Sequence, residues 1–410
     1  MRAYERLIKY AKVSTASEEG IGVSPSTPRQ FDLARLLVEE LLELGVADAE
    51  VTDTCYVYGH LPATPGHEGA PCLGFIAHMD TSPDFSGENV KPRLIENYDG
   101  GDLELGAGRM LSVKSFPHLP SLKGRTLITA SGDTLLGADD KAGIAEIMTL
   151  VEELQKGDIP HGRIAVCFTP DEEVGCGTAH FDIPKLGADF AYTLDGGPEG
   201  EVVFENFNAG AAVVHIIGVN VHPGSAKDVM VNAAQVATEY NAALPSCETP
   251  RYTEGYEGFF HLTAVAGTAE RAELRYILRD HDAAKMQLRR EMMEHIAKTL
   301  NERYGAGTVS VSFREQYRNM AEKIRPDYIH LVDNAVKATE AAGVTPLRVP
   351  IRGGTDGAQL SWEGLPCPNL GTGGYAFHGP YEHITVEGMD KCVEILKNLT
   401  EIYSSSLPQS

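Results

Sequence analysis

The spacing of apolar and polar residues predicts helices and strands that alternate along much of the chain. Apolar residues recur at helical spacing in Arg29–Leu44, Gly143–Gln155, Ala283–Tyr304 and Tyr328–Ala342. Short apolar runs bounded by Gly, Pro and Asp are typical of buried strands, and they occur at Cys72–Ala77, Arg163–Thr169, Phe190–Leu194 and Cys367–Leu370. Strands that alternate with helices predict an α/β domain whose mixed sheet is largely parallel and flanked by helices.

A different pattern occupies the middle of the chain. Three predicted strands there have a pattern of apolar and polar residues that differs from that of the first strands, and they are Ala211–Val221, Glu257–Ala266 and Ala272–Arg279. The helical segment Ala283–Tyr304 and a last strand at Thr308–Phe313 follow them. This order predicts a separate α+β module inserted into the α/β domain. We therefore expect residues 1–206 and 321–410 to form the larger domain and residues 207–320 the inserted one.

Length and charge limit the class of protein. The chain has 410 residues, more than one compact core usually holds. Its formal net charge is -23, which disfavours binding to nucleic acid or to an anionic membrane. No apolar run approaches the roughly 18 residues of a membrane span, and the N-terminus lacks the apolar stretch of a signal peptide. These features predict a cytoplasmic protein.

The seven cysteines limit the chemistry. They are odd in number, scattered along the chain and without a C-x-x-C pair, which is typical of reduced thiols in a reducing compartment. A zinc site made of thiolates is therefore disfavoured. If the chain binds a metal, its ligands should be histidines and carboxylates.

Residues that can bind metal or move protons follow the predicted strands of the larger domain. His78 and Asp80 come directly after the strand Cys72–Ala77. Ligand sites of open α/β sheets lie beyond the carboxyl ends of the strands, so such side chains can converge there. A metal-bound imidazole needs its second nitrogen held, and Asp80 could do this for His78. The alternative is a strand-end histidine that bonds to the backbone, followed by an aspartate turn.

Two acidic clusters lie in comparable places. The pair Asp139-Asp140 begins a helix, where acids commonly cap the helix or favour its dipole, but one of these carboxylates could instead bridge two metal ions. The acids Asp171–Glu173 follow the strand Arg163–Thr169. They could be solvated loop acids, or one glutamate could bind metal while its neighbour transfers a proton. Neither cluster decides between its alternatives by itself.

Two further candidates complete the set. Asp195 directly follows the strand Phe190–Leu194, and His378 lies in a glycine-rich loop after the strand Cys367–Leu370, with His383 close behind as an expected structural residue. The candidates supply two histidines and three carboxylates, a ligand set suited to zinc, cobalt or manganese. A carboxylate shared between two ions would give a two-metal site with the ions about 3.5–4 Å apart.

The motifs resemble those of a known family of metallopeptidases. Dinuclear zinc exopeptidases related to carboxypeptidase G and to the dipeptidase V enzymes have motifs similar to H-x-D, G-A-D-D-K-A-G, P-D-E-E-V-G, D-G-G and R-G-G-T-D-G-A of this chain. One branch of that family, the peptidase T group of tripeptide aminopeptidases, has strings similar to T-S-P-D, V-H-P-G-S-A-K, T-E-G-Y-E-G-F and P-I-R-G-G-T-D-G-A-Q-L-S. The resemblance runs nearly from end to end of the chain.

The resemblance implies a site for two zinc ions, with cobalt or manganese as substitutes. By this resemblance His78, Asp139 and Asp195 would hold one ion. Asp139, Glu173 and His378 would hold the other, so that Asp139 would be the bridging ligand.

The resemblance also implies the catalytic groups and the activity. Asp80 would orient His78, Glu172 would be the general base, and Asp140 would have a supporting or capping role. The implied enzyme is a metallo-aminopeptidase that releases the N-terminal residue from short peptides, preferentially tripeptides, by attack of zinc-activated water. Its implied partner is a short peptide, and the family pattern also allows a homodimer.

The inserted module would be the lid domain of this family. His222 matches a histidine that stabilises the tetrahedral intermediate in relatives, from the same chain or from a partner chain. Arg279 and Arg352 match arginines that hold substrate carboxylate or carbonyl groups; the alternatives are a buried ion pair for Arg279 and a turn-stabilising role for Arg352. The chain departs from the family pattern at Cys176, where a basic residue is expected, and in the region Lys114–Gly124.

Two other kinds of function are the alternatives. A dipeptidase or an N-acyl amino-acid hydrolase would share the metal ligands on the same scaffold, and the strings around Tyr252–Phe260 favour the tripeptide aminopeptidases over them. A non-catalytic protein that binds peptide or metal would have no need of Glu172 beside Glu173, because a binding site requires no base.

Overall fold

The computed structural model describes residues 1–405 and divides the chain into two compact units. The first unit contains residues 1–204, 322–349 and the chain from residue 355 onward, and the second contains residues 205–321 and 350–354. Residues 350–354 join the second unit, although the sequence grouped them with the larger domain, because the main-chain N–H of Ile351 donates to the carbonyl of Glu205. The predicted fold class is confirmed, since the first unit is an α/β structure with a large mixed sheet flanked by helices.

A seven-stranded sheet forms the centre of the first unit. The order of its strands is Glu50–Val51, Val57–Leu61, Ile164–Thr169, Leu73–His78, Phe190–Gly196, Asn369–Gly371 and Val202–Val203. The four strands from Ile164–Thr169 to Asn369–Gly371 are parallel, and the strands outside them pair antiparallel with their neighbours. Leu73–His78 and Ile164–Thr169 are buried along their whole length, which explains their uninterrupted apolar sequences. The carboxyl ends of the four parallel strands meet at one edge of the sheet.

Helices and smaller sheets complete the first unit. Its helices are Ala3–Tyr10, Gln30–Glu43, Ala138–Gln155, Ile183–Leu186, Ile329–Ala341, Asp356–Glu363 and Val386–Ser404, and the helix Ala321–Asp327 lies where the chain re-enters this unit. An antiparallel sheet has the order Gly374–Tyr375, His383–Thr385, Leu127–Thr129 and Arg93–Ile95, and a further pair joins Leu103–Gly106 to Arg109–Leu111. Within residues 1–405, no helix combines the length and apolar character that crossing a membrane requires.

The second unit is an antiparallel sheet covered by helices. Its strand order is Phe259–Gly267, Arg271–Asp280, Asn208–Ile217 and Val309–Tyr317, and its helices are Ala233–Ala243 and Ala283–Tyr304. Val214 and Ile216 are buried in one core cluster with Met293 of the long helix, while His215 between them is exposed, so this strand has one solvated face. The strand predicted at Ala211–Val221 ends at Ile217. The next residue, Gly218, packs so closely against other main-chain segments that a Cβ there would lie 2.2 Å from the carbonyl oxygen of Ala269.

The first unit contains a buried acid. Glu146 of the helix Ala138–Gln155 is fully buried, and neither of its carboxylate oxygens has a hydrogen-bond partner among the described residues. An ionised carboxylate in such a place is unfavourable because it has lost water and gained no donor. Burial, with a smaller effect from the charge of Glu199, therefore raises the pKa of Glu146 well above its usual value.

We expect the substitution Glu146→Gln to stabilise the protein at alkaline pH. The folded state holds the Glu146 proton more tightly than the unfolded state does, so the wild-type protein loses stability as the pH rises above about 4.3, the pKa of an unfolded glutamate. The uncharged variant should have a free energy of unfolding higher by about 1–3 kcal/mol at pH 8, and the gain should vanish towards pH 4.

Urea unfolding of the wild type and Glu146→Gln at both pH values measures this difference. Glu39→Gln, at an exposed position of the helix Gln30–Glu43, is the matched control and should change little at either pH. A Glu146→Gln variant that is less stable than the wild type at pH 8 would show that the buried carboxylate is ionised and satisfied.

Candidate metal centre

His78 points into a group of acids at the carboxyl edge of the large sheet. It ends the strand Leu73–His78, and its side chain is 2% exposed. Its Nε2 lies 3.0 Å from Oδ1 of Asp139 and 3.7 Å from Oδ1 of Asp195. Asp195 reaches this place because its strand, Phe190–Gly196, pairs in parallel with the His78 strand. The parallel sheet thus brings together two residues that are far apart in the sequence.

Asp80 connects two strand ends. Nδ1 of His78 lies 3.0 Å from the main-chain oxygen of Asp80 and 3.4 Å from its Oδ1. The two carboxylate oxygens of Asp80 accept the main-chain N–H groups of Glu172, at 3.0 Å, and Glu173, at 3.2 Å. Holding Nδ1 in this way directs Nε2 towards the acids, as in many metal-bound histidines. The main chain of Asp80 shares the orienting role that the resemblance gave to its carboxylate.

Asp139 lies between two histidines. Its Oδ1 faces His78, and its Oδ2 lies 3.2 Å from Nε2 of His378. A carboxylate with one oxygen directed to each histidine is arranged to bridge two metal ions. Asp139 takes this position because its backbone leaves helical angles at the start of the helix Ala138–Gln155, with φ -84° and ψ 105°.

Glu382 holds this helix start, a role that the sequence did not reveal. Its buried carboxylate accepts the main-chain N–H groups of Leu136 at 2.7 Å, Gly137 at 2.8 Å and Asp139 at 2.9 Å. Amides at the N-terminus of a helix favour a negative charge, so Glu382 acts as the cap of this helix. In the sequence, Glu382 is marked only by its position four residues after His378.

His378 and Glu173 meet on the other side of Asp139. Nε2 of His378 lies 2.9 Å from Oε2 of Glu173, whose Oε1 is buried without a hydrogen-bond partner among the described residues. His378 follows the strand Asn369–Gly371 and has a φ of 62°, a left-handed conformation that is unfavourable for residues other than glycine. Strain of this kind often accompanies side chains that are held for function.

Asp140 occupies a supporting position. Its Oδ2 accepts the main-chain N–H of His78 at 3.1 Å. Ligand atoms of His78, Asp140 and Asp195 lie within 4.8 Å of one another, as do those of His78, Asp139 and Glu173. Asp140 is therefore a rival to Asp139 on distance alone, but of these two acids Asp139 is the one whose oxygens face both histidines.

The acids of the cluster have perturbed pKa values. Burial raises the pKa of Glu173 to about 7 and that of Asp195 above its usual value, and burial together with the charge of Asp195 raises the pKa of Glu172 well above its usual range. Burial would also raise the pKa of Asp139, but hydrogen bonds from the histidines outweigh it and lower that pKa. Hydrogen bonds to Asp139 and Glu173 raise the pKa of His378 to about 11. A bound cation would favour the ionised form of every one of these carboxyl groups.

Asp356 is a second acid that the sequence did not assign. It lies in the R-G-G-T-D-G-A motif at the start of the helix Asp356–Glu363 and is buried. Its Oδ2 accepts the hydroxyl of Thr169 at 2.8 Å, and a Cβ on Gly177 would lie 2.2 Å from its Oδ1. Asp356 therefore packs against both ends of the loop that contains Glu172 and Glu173.

His383 has a packing role. It is buried, its ring stacks on that of His118, and the two Nε2 atoms lie 2.8 Å apart. The contact joins His383 to the segment Lys114–Gly124, which departs from the family pattern. The structural assignment of His383 agrees with its expected role.

His222 lies in the second unit at the start of a turn. Its Nδ1 accepts the main-chain N–H of Gly224 at 3.1 Å. Because Nδ1 is an acceptor, a neutral His222 has its proton on Nε2 and can donate from there.

Arg279 is held by oxygen atoms and a ring of the second unit. Its Nη1 donates to the carbonyls of Leu278 at 2.9 Å and Gly210 at 3.3 Å and to the side chain of Gln316 at 3.1 Å. Its guanidinium also lies over the ring of Tyr317. Burial lowers the pKa of Arg279.

Arg352 fastens the segment that contains the T-E-G-Y-E-G-F string. Its Nη1 donates to the carbonyls of Gly255 at 3.0 Å and Glu257 at 2.8 Å, and its Nη2 donates to the hydroxyl of Thr253 at 2.9 Å. The guanidinium lies over the ring of Phe207. These contacts correspond to the turn-stabilising alternative for Arg352.

The donor set of the first unit fits metal ions. Two ligand atoms of a tetrahedral zinc ion, each about 2.1 Å from it, lie roughly 3.4 Å apart. The four contacts among His78, Asp139, Asp195, Glu173 and His378 range from 2.9 to 3.7 Å. Two imidazoles and three carboxylates at these distances form a candidate metal site.

Comparison with known proteins decides the family. A family model described as "Peptidase family M20/M25/M40" matches residues 135–402, well over half of the chain. The chain belongs to this family. As a member of the M20 peptidases it is a hydrolase of peptide bonds, and the resemblance that its motifs indicated is confirmed.

The similarity to known proteins extends over nearly the whole of this chain. Peptidase T of Clostridium perfringens (strain ATCC 13124) is 52% identical over 404 residues, which cover 98% of this chain and 99% of that protein. Peptidase T of Halothermothrix orenii is 51% identical over 407 residues, with the same coverage. The crystal structure of aminopeptidase PepT from Bacillus cereus ATCC 10987 shares the fold, with a TM-score of 0.78, 24% identity and coverage of 98% of both chains.

Proposed function

We propose that this chain is a two-metal aminopeptidase that releases the N-terminal residue from tripeptides. The observation that carries the proposal is the position of Asp139, whose two oxygens face one histidine each. The position of Glu172 directly before the candidate ligand Glu173 also supports the proposal. The similarity to proteins named Peptidase T over 98% of the chain supports the same activity.

The ligands divide between two positions. His78, Asp139 and Asp195 would hold one ion, and Asp139, Glu173 and His378 the other. The mixture of imidazole and carboxylate suits zinc, with cobalt or manganese as substitutes. Bound ions would supply an activated water at neutral pH and polarise the scissile carbonyl.

Glu172 would move the proton. Its main-chain N–H is fixed on Asp80, so its carboxylate is presented from the same turn as Glu173. As general base Glu172 takes a proton from the attacking water, and as general acid it gives that proton to the leaving amine.

Residues of the second unit would bind the substrate. His222, with its proton on Nε2, can donate to the oxyanion that forms during attack, from its own chain or from a partner's. Arg279 and Arg352 remain proposed contacts for substrate carboxylate or carbonyl groups. A lid role for this unit, a homodimer and a cytoplasmic location stay predictions from the sequence.

A panel of short peptides tests the function. After loading with zinc, the enzyme should cleave Ala-Ala-Ala with a kcat/KM at least about 10-fold above that for Ala-Ala or Ala-Ala-Ala-Ala, and it should release free alanine from the N-terminus. Acetylation of the tripeptide should abolish cleavage, because the free amine is then missing. Faster cleavage of Ala-Ala would favour a dipeptidase, and release of acetate from the acetylated peptide would favour an N-acyl hydrolase. If the protein binds metal but cleaves none of these peptides, it would be a non-catalytic binding protein.

A further inference from the structure

Asp171 makes the turn that presents Glu172. It is the residue immediately before Glu172, it is buried, and its φ of 59° and ψ of 23° are left-handed. Aspartate tolerates this conformation better than most residues, although glycine is the usual choice. The turn sends the next two main-chain N–H groups, those of Glu172 and Glu173, onto the carboxylate of Asp80. The orientation of Glu172 thus depends on what keeps Asp171 in this conformation.

The side chain of Asp171 is held by four donor groups from one segment. Its oxygens accept the main-chain N–H of Ser26 at 2.8 Å, the hydroxyls of Ser26 at 2.6 Å and Ser24 at 3.1 Å, and the side-chain amide of Gln30 at 2.7 Å. Gln30 also accepts the main-chain N–H of Asp171 at 3.2 Å. An ionised carboxylate only accepts hydrogen bonds, so it matches a surrounding made of donors.

The same N-terminal segment is attached to the His78 side of the site. Thr81, the residue after Asp80, donates its N–H to the carbonyl of Thr15, and its own carbonyl accepts the N–H of Ser17 at 3.2 Å. Thr27 donates to the carbonyl of Ala16 at 2.7 Å and so ties the two parts of the segment together. The chain from Thr15 to Gln30 is therefore bonded both to the strand end that carries His78 and to the loop that carries Glu172.

We propose that Asp171 is a positioning residue. Its hydrogen bonds with residues 15–30 hold the turn that places Glu172 for proton transfer. The proposal rests on the function proposed above, in which Glu172 is the general base. Proton transfer needs a defined distance between the base and its water, and displacement of a reacting group by about 1 Å can lower the rate about 100-fold. The side chain of Asp171 accepts hydrogen bonds from Ser24, Ser26 and Gln30, none of which is a proposed metal ligand, so its effect on Glu172 passes through the turn.

The substitution Asp171→Asn tests this role. Asparagine keeps the size and tolerates the left-handed turn, but it places an NH₂ group among donors. With zinc bound, the variant should have a kcat for Ala-Ala-Ala lowered about 10–100-fold, with KM within about twofold and metal content unchanged. Hydrogen exchange of the amides in residues 172–176 should be faster than in the wild type, and Ser24→Ala, which removes one of the four donors, should give a smaller change in the same direction.

Glu40→Gln is the matched control. Glu40 is another buried acid of the first unit with several donors, Arg6, Lys9 and Tyr10, so this variant should lose thermal stability yet keep kcat and the exchange of residues 172–176. A wild-type kcat and wild-type exchange in Asp171→Asn would overturn the proposal, as would an equal loss of kcat in Glu40→Gln. If the wild type cleaves no tripeptide, the proposed function fails instead, and the exchange of residues 172–176 still decides whether Asp171 holds the turn.

Discussion

The variant Glu172→Gln should keep its metal ions and lose most of its turnover. Glutamine has the shape of glutamate but accepts no proton, so the loss of the proposed general base should lower kcat by roughly 10²–10⁴-fold. The main-chain N–H that bonds to Asp80 is unchanged, so the turn should stay in place. Steady-state kinetics on Ala-Ala-Ala, with metal content measured on the same sample, separate the two properties.

Glu173→Gln is the matched control for this variant. The two glutamates are neighbours in one turn, but Glu173 contacts His378 through its carboxylate, and its substitution should weaken metal binding. Excess zinc should therefore restore part of the activity of Glu173→Gln and none of that of Glu172→Gln. A kcat near the wild-type value in Glu172→Gln would refute the assignment of Glu172 as general base. Rescue of that variant by zinc would indicate that Glu172 is a metal ligand instead.

The large sheet was predictable because its central strands are buried on both faces. Burial on both faces requires continuous apolar runs, as in Leu73–His78 and Ile164–Thr169, and a polar residue at the end of such a run then stands out. His78 and Asp195 were found by this signal. The parallel order of the strands adds the rest, since it brings the ends of these strands to one edge of the sheet.

Residues that act by accepting hydrogen bonds from distant segments left no such signal. Glu382 caps a helix that begins far away in the sequence, and Asp171 is one of three consecutive acids whose ordinary place would be a solvated loop. The spacing of residues in the sequence predicts neither role, because the donors belong to segments that come together only when the chain folds. The contacts of Arg352 with residues 253–257 are likewise long-range, so the sequence could not choose between its two roles.

The choice between Asp139 and Asp140 shows the same limit on a smaller scale. Both are acids at one helix start, and capping, dipole and charge arguments apply equally to both. The structure separates them through the direction of their oxygens. Asp139 faces the side chains of two histidines, whereas Asp140 accepts the main-chain N–H of one of them.

If Asp139 is the shared ligand, as proposed, the variant Asp139→Asn should lose both metal ions, and with them all measurable peptidase activity. A shared ligand contributes to both positions, and the amide that replaces it has one oxygen in place of two and no charge. Metal analysis after dialysis against buffer with micromolar zinc measures the loss directly, without reference to activity. Thermal unfolding of the same sample shows whether the chain is still folded.

The neighbour Asp140 supplies the control, because Asp140→Asn changes the same chemical group one residue away. The side chain of Asp140 accepts the main-chain N–H of His78, so the substitution should shift His78 slightly. Zinc binding should then weaken about 10–100-fold, as is usual when a group that supports a ligand is changed. Both ions should then return at millimolar zinc in Asp140→Asn but not in Asp139→Asn. The opposite pattern would assign the bridge to Asp140 and make the group of His78, Asp140 and Asp195 the true ligand set. An Asp139→Asn variant that lost one ion and kept the other would refute a shared ligand, because each ion would then have a complete set of its own.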